Sequence, residues 1–218
     1  MCAHLRRIAR LLNDKARAYE AALVGELATI AAQIPAHDLA LQLDICMEVL
    51  AVEVNDDVPA LFPWTPAGTA LERYVRALRG VAPAVSQGAW LGLHLCYGDL
   101  GHRHAVEPPS LTVATRMFNA ARAALTRPID FVHMPVPRCR TDDAYFAPLA
   151  DLDLGACKLY LGLVPHTDGV AGSLARLATA KRHAQGFGIA TECGFGRRPA
   201  DTIPELQRIH REVAAALD

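Results

Sequence analysis

Five short apolar runs alternate with helix-like segments along this chain, and that alternation restricts its fold more than any other feature. The runs are LALQLDI (Leu39–Ile45), AWLGLHLCY (Ala89–Tyr97), IDFVHMPV (Ile129–Val136), CKLYLGLV (Cys157–Val164) and FGIATEC (Phe187–Cys193). Each has the length of a strand and is bounded by polar or turn-forming residues. Between and around them the periodicity predicts helices. The first covers His4 to Ile34, where Leu5, Ile8, Leu12, Tyr19, Leu23, Leu27 and Ile30 recur mostly three and four apart, and Pro35 ends it. Others are expected over Gly68–Val81, from Ser110 onward with that serine as N-cap, near Asp142–Leu149, over Gly172–Gln185 and over Ile203–Leu217. Pro59, Pro63 and Pro66 around Trp64 predict a loop. Strands and helices in this order imply an α/β fold of parallel strands joined by right-handed crossovers. No linker or repeat divides residues 1–218, so a single domain is expected.

Composition removes several functional classes. The 22 basic and 23 acidic residues leave a net charge of −1, so the chain has no basic footprint for nucleic acid. With 52% hydrophobic residues it is not a disordered chain. No apolar run reaches the roughly 18 residues that would mark a membrane span. The opening MCAHLRRIARLLND lacks the apolar stretch of a signal peptide, so a cytoplasmic protein without membrane partners is expected. The six cysteines form no CxxC pair and are read as reduced thiols.

In parallel α/β folds the chemistry lies beyond the C-terminal ends of the strands. Asp44 and Glu48 follow the first run here, His94, Cys96 and Asp99 the second. His133 lies in the third, His166, Thr167 and Asp168 follow the fourth, and Glu192, Cys193 and Gly194 close the fifth. His94 and Cys96 are two apart on a strand, so both point to one face. An imidazole and a thiolate so placed can share a tetrahedral zinc, with Cys193 as a second sulfur and a fourth position left over. The same cysteines also suit a plain core, where free cysteine is commonly a small buried apolar residue. His166 beside Asp168 suits a general acid or base, or an exposed loop. The HxH of GHRH (Gly101–His104) is expected in a solvated loop. The CGFGRR turn suits an anion site or a tight connection.

HLCYGD, LYLGLVPHTDG and TECGFGRRP together resemble the C-terminal half of the cobalamin-independent methionine synthase family, over about Ala22 to Leu217. Five motifs, LQLDI, HLCYGD, HMPVP, LVPHT and ECGFG, stand in the family's order. The resemblance implies a TIM (β/α)8-type barrel related to the uroporphyrinogen decarboxylase group. It implies zinc as cofactor, homocysteine as the small-molecule thiol and a methyltetrahydrofolate-type methyl donor. Carried over by position, His94, Cys96 and Cys193 are zinc ligands, and His166 is the catalytic histidine that assists protonation of the folate. Asp44 falls at the amino-acid site, and Asp44 or Asp168 would orient a substrate ammonium or the histidine.

The chain departs from the family in places. The family's fourth ligand, a glutamate, falls at Pro135, which cannot ligate; His133, two residues earlier on the same face, is the candidate replacement, or water or substrate fills the site. QIDEP reads QLDIC, and the aspartate before the catalytic histidine is Pro165. The five strands correspond to the family's fourth to eighth, whereas a complete barrel takes about 250 residues. The chain is therefore a fragment, or a second chain or second copy completes the barrel, or the N-terminal helix covers the gap. The expected function is zinc-dependent methyl transfer to a thiol. Alternatives are a same-superfamily enzyme that alkylates another thiol or demethylates a small donor without folate, and an inactive truncated barrel.

Overall fold

Hydrogen bonding joins the apolar runs into one sheet. The computed structural model describes residues 3–55, 68–99, 101 and 103–217; the loop expected around Trp64, with its three prolines, and His102 lie outside the described residues. The strands are β1 (Ala40–Ile45), β2 (Trp90–Leu95), β3 (Phe131–Pro135), β4 (Lys158–Gly162) and β5 (Gly188–Ile189). All pairings are parallel and the spatial order is β1-β2-β3-β4-β5, the order of the chain. The helices are α1 (Ala3–Gln33), α2 (Met47–Asn55), α3 (Ala70–Val81), α4 (Thr112–Ala124), α5 (Asp143–Phe146), α6 (Gly169–His183) and α7 (Ile203–Ala214). Five parallel strands alternating with helices, preceded by a long N-terminal helix, form part of a (β/α)-barrel wall.

The two faces of the sheet are chemically distinct because side chains alternate along each strand. Leu91, Leu93, Leu95, Val132, Met134, Leu159 and Leu161 are buried, and most pack with Met117, Phe118, Tyr145, Leu206, Ile209 and Val213 beneath the helices. The other face carries Gln42, Asp44, Trp90, Phe131, His133 and Tyr160, and much of it stays open, with Trp90 43% exposed. Gly92 sits on this face. A Cβ there would lie 1.9 Å from the Phe131 ring, so glycine allows Phe131 to lie across β2.

Two expectations need correction, and one helix was not expected. Helix α2 follows β1. Its Val49 and Val52, three apart, are 1% and 4% exposed. In so short and valine-rich a segment packing, not propensity, forms the helix. Ser110 does not cap α4: its Oγ accepts from the N–H of Thr112 at 3.3 Å and lies 2.7 Å from the Thr112 hydroxyl, and the helix opens at Thr112. β5 has two residues instead of seven; backbone bonds from Ala190 to Leu161 and from Val164 to Ala190 carry the pairing only one residue past Ile189.

The capping box expected of a well-formed helix start is found at α3, where Thr69 and Glu72 satisfy each other's backbone N–H groups. Helix α1 packs on α3, and its Leu27 joins Leu39, Val81, Val85 and Leu91 in a second small cluster. A groove lined by Tyr19, Leu23, Leu43, Tyr74 and Leu78 separates α1 from the outer edge of β1. Among the described residues no helix is long and apolar enough to cross a membrane.

Candidate metal centre

The HLC segment ends β2 and delivers its donors to the C-terminal rim. His94 and Cys96 are 3% and 6% exposed. Cys193 reaches them from the turn after β5, with Cys96 Sγ and Cys193 Sγ 3.8 Å apart. The ligand atoms of His94, Cys96 and Cys193 all lie within 4.8 Å of one another.

Two arginines tie the turns that carry the cysteines. Arg197 donates to the Asp99 carbonyl at 2.6 Å and to its carboxylate at 3.2 Å, joining the turn after β5 to the loop after β2. Arg198 donates to Glu192 Oε1 at 2.7 Å, with both side chains largely buried. Both guanidinium groups of CGFGRR are thus engaged by carboxylates, so of the two alternatives the turn is the tight connection, a clasp. Gly98, at φ +87°, makes the turn after Cys96, where a Cβ would meet Ala105 at 2.7 Å.

The electrostatics suit a soft cation. The Cys96 thiol, the nearby His94 and the Gly194 N–H hold the Cys193 thiol well below its ordinary value against the effect of burial. The same Cys193 contact and burial push Cys96 up. Of the two sulfurs, Cys193 is therefore the one that gives up its proton more readily. Both ring nitrogens of His94 are buried with no hydrogen-bond partner. An orphaned buried polar atom costs roughly 1–3 kcal/mol, and a ligand between His94 and the two sulfurs relieves that cost. Donor type, spacing and orphaned nitrogens all fit a metal ion.

The other sequence candidates are placed differently. His133 is the register partner of His94 on β3, and the two rings stack with centroids 4.3 Å apart and planes 18° from parallel. It is outside the group of converging ligand atoms. Burial, and then His94, push His133 down to about 3. Asp44 pairs in register with His94 and is exposed on the same face, accepting from Gln42 at 2.8 Å. His166 is half-buried after β4, within electrostatic reach of Glu205 of α7. Asp168 is held by the fully buried Arg176 through two bonds of 2.6 and 2.8 Å. That pairing anchors the loop that carries it.

His104 was expected in a solvated loop. Its Nε2 is instead buried without a partner, and its ring meets Tyr97 edge-on at 5.5 Å. Burial lowers its pKa against the pull of Glu192, Glu107, Cys193 and Asp99. It lines a small cavity with Arg103, Glu107, Arg138, Pro165 and Glu192, and Glu192 Oε2 is another orphan there. The GHRH spacing was the signal available in the sequence, and it did not reveal this burial.

Fold and site define a class: a parallel α/β-barrel wall with a His/Cys/Cys group, able to hold a metal, at its C-terminal rim. No protein-family model and no curated protein matches the chain. A solved structure from Listeria monocytogenes, provisionally assigned as a vitamin-B12-independent methionine synthase, is similar over 94% of this chain with a TM-score of 0.57 and 16% identity. This chain spans 57% of the length of that structure. The similarity is one of fold.

Proposed function

We propose that this chain is a zinc-dependent transferase that activates a small thiol, of the homocysteine class, for methyl transfer from a methyltetrahydrofolate-type donor. The observation that carries the reading is the convergence of His94, Cys96 and Cys193 within 4.8 Å around a histidine whose ring nitrogens lack partners. Two sulfurs and an imidazole suit zinc. When bound, zinc keeps a substrate thiol deprotonated yet nucleophilic near neutral pH.

The chain's own residues supply the rest. Cys193 and Cys96 would hold the ion through their sulfurs, each as a thiolate, and His94 through a ring nitrogen. His166 protonates the leaving group, and exposed Asp44, on the face that carries His94, holds a substrate ammonium. Fold-level similarity to a protein named as a methionine synthase supports this choice of substrate over other thiols. A second chain or second copy laid on the open inner face would supply the missing walls of the pocket.

The test is zinc per chain on purified protein, alongside thiol methylation, for wild type, Cys96→Ser and Cys193→Ser. About one zinc per chain, lost together with methylation in both variants, is the expected result. Unchanged metal content and unchanged activity in both variants would overturn the proposal.

A further inference from the structure

We infer that Cys46 is the fourth protein ligand of this centre, giving a Cys3His set in the substrate-free protein. The inference rests on the metal reading above and deepens it. Strands β1 and β2 run in register up to Ile45 beside Leu95. The ladder continues one step further, since the Cys96 N–H donates to the Ile45 carbonyl at 2.9 Å. The next residues on the two chains are Cys46 and Cys96, and adjacent strands lie about 4.8 Å apart. Ile45 and Leu95 are both buried in the helix-side core. Alternation therefore puts Cys46 and Cys96 on the opposite face, in line with Asp44 and His94 two residues back.

Cys46 has the freedom that a fourth ligand needs. It is a half-buried free thiol at the end of an edge strand, one residue before α2 begins. Its sulfur is outside the 4.8 Å group, so closure requires a side-chain rotation at Cys46. The other places for a fourth donor are poor. Pro135 has no side-chain donor, and His133 lies face to face with His94 and so does not aim its nitrogens at the same point. Three sulfurs and one imidazole form a closed tetrahedral set. A substrate thiol would then enter by displacing Cys46, the ligand whose side chain must move to bind, its proton passing to the released Cys46 thiolate.

The test uses the full chain loaded with cobalt(II), a spectroscopic stand-in for zinc, together with sulfur counting by X-ray absorption on the zinc form. Wild type is expected to show three sulfurs per metal. In Cys46→Ser and Cys46→Ala the thiolate-to-cobalt charge-transfer intensity is expected to fall by about one third, as three sulfurs become two. Two sulfurs in wild type, or unchanged intensity in both variants, would overturn the assignment of Cys46 and leave the His94, Cys96 and Cys193 site standing. A wild-type protein that binds neither cobalt nor zinc would overturn both. Should the variants misfold, the wild-type sulfur count decides alone.

Discussion

Replacing Arg176 by methionine tests how the rim of the sheet is held. Arg176 is 0% exposed and joins three segments. Its Nε donates to the Leu163 carbonyl at 2.9 Å, just past β4, and its Nη1 to the Arg138 carbonyl at 2.6 Å, in the loop after β3. The remaining bonds hold the Asp168 carboxylate two residues from His166. Removing one partner of a fully buried ion pair costs about 3–5 kcal/mol. Asp168 is 35% exposed, so water recovers part of that. Leu163 is fully buried, and its orphaned carbonyl adds about 1–3 kcal/mol. Methionine returns some packing, so the net loss for Arg176→Met is about 3 kcal/mol.

That loss is a large share of the roughly 5–15 kcal/mol by which domains are stable. Urea unfolding measures it as a shift in midpoint at constant slope. Asp168→Asn keeps the arginine and its two carbonyl bonds, and is expected to cost only about 1 kcal/mol. Arg176→Lys keeps the charge without the planar fork and should fall between the two. A loss below about 1 kcal/mol for Arg176→Met would refute the account of this anchor. So would a larger loss for Asp168→Asn than for Arg176→Met.

Two further outcomes follow from the inner face. In the metal-free protein the unfolded chain takes up a proton at His133 below about pH 6.5, whereas the folded protein holds that histidine neutral down to about 3. Stability from this residue is therefore complete above pH 6.5 and is lost as pH falls toward 3; between pH 7 and 5 the loss is about 2 kcal/mol. Urea midpoints at the two pH values check it, and a His133→Phe variant with the same pH slope would refute it. Gly92→Ala must push the Phe131 ring out of place, at a cost of about 1–2 kcal/mol. In a Phe131→Ala background that cost should largely vanish, and simple additivity in the double-mutant cycle would count against the contact.

The legible part of this structure was local. Parallel strands covered by helices read as near-continuous apolar runs, and WLGLHL and CKLYLGLV showed this clearly. The HxC pair was legible because a period of two fixes which side chains share a face. Other features depend on partners distant in sequence. Cys193 meets Cys96 across 97 positions, held by Arg197 on Asp99, and nothing in ECGFGRR alone specifies that clasp. Asp168 suggested chemistry because it stands beside His166; its partner Arg176 is two helical turns on, in a segment that reads only as α6. The burial of His104 depends on how the loop after β2 folds over the rim. Cys46 was visible in QLDIC as a lost family residue, and only the register of β1 on β2 places it beside Cys96.

Hydrogen bonding at the two ends of the sheet separates structural work from chemistry. At the N-terminal end Arg127 donates to the Val85 and Ala89 carbonyls at 2.7 and 2.9 Å, and Asp130 accepts from the Leu91 N–H at 2.7 Å. Ser86 Oγ is an orphan there, a single neutral hydroxyl. Toward the C-terminal end the orphans include His94 Nδ1 and Nε2, His133 Nε2, His104 Nε2, Glu192 Oε2 and Arg198 Nε. A fold selected only for stability would have little reason to keep several such atoms, each costing roughly 1–3 kcal/mol, near one another. The cost is offset when a ligand engages them, and the rim of a parallel sheet is where side chains from separate strands converge on one small molecule. The same imbalance predicts that metal binding should raise stability more in wild type than in a Cys193→Ser variant, because a His94 ring nitrogen gains a partner only when the sulfurs hold the ion.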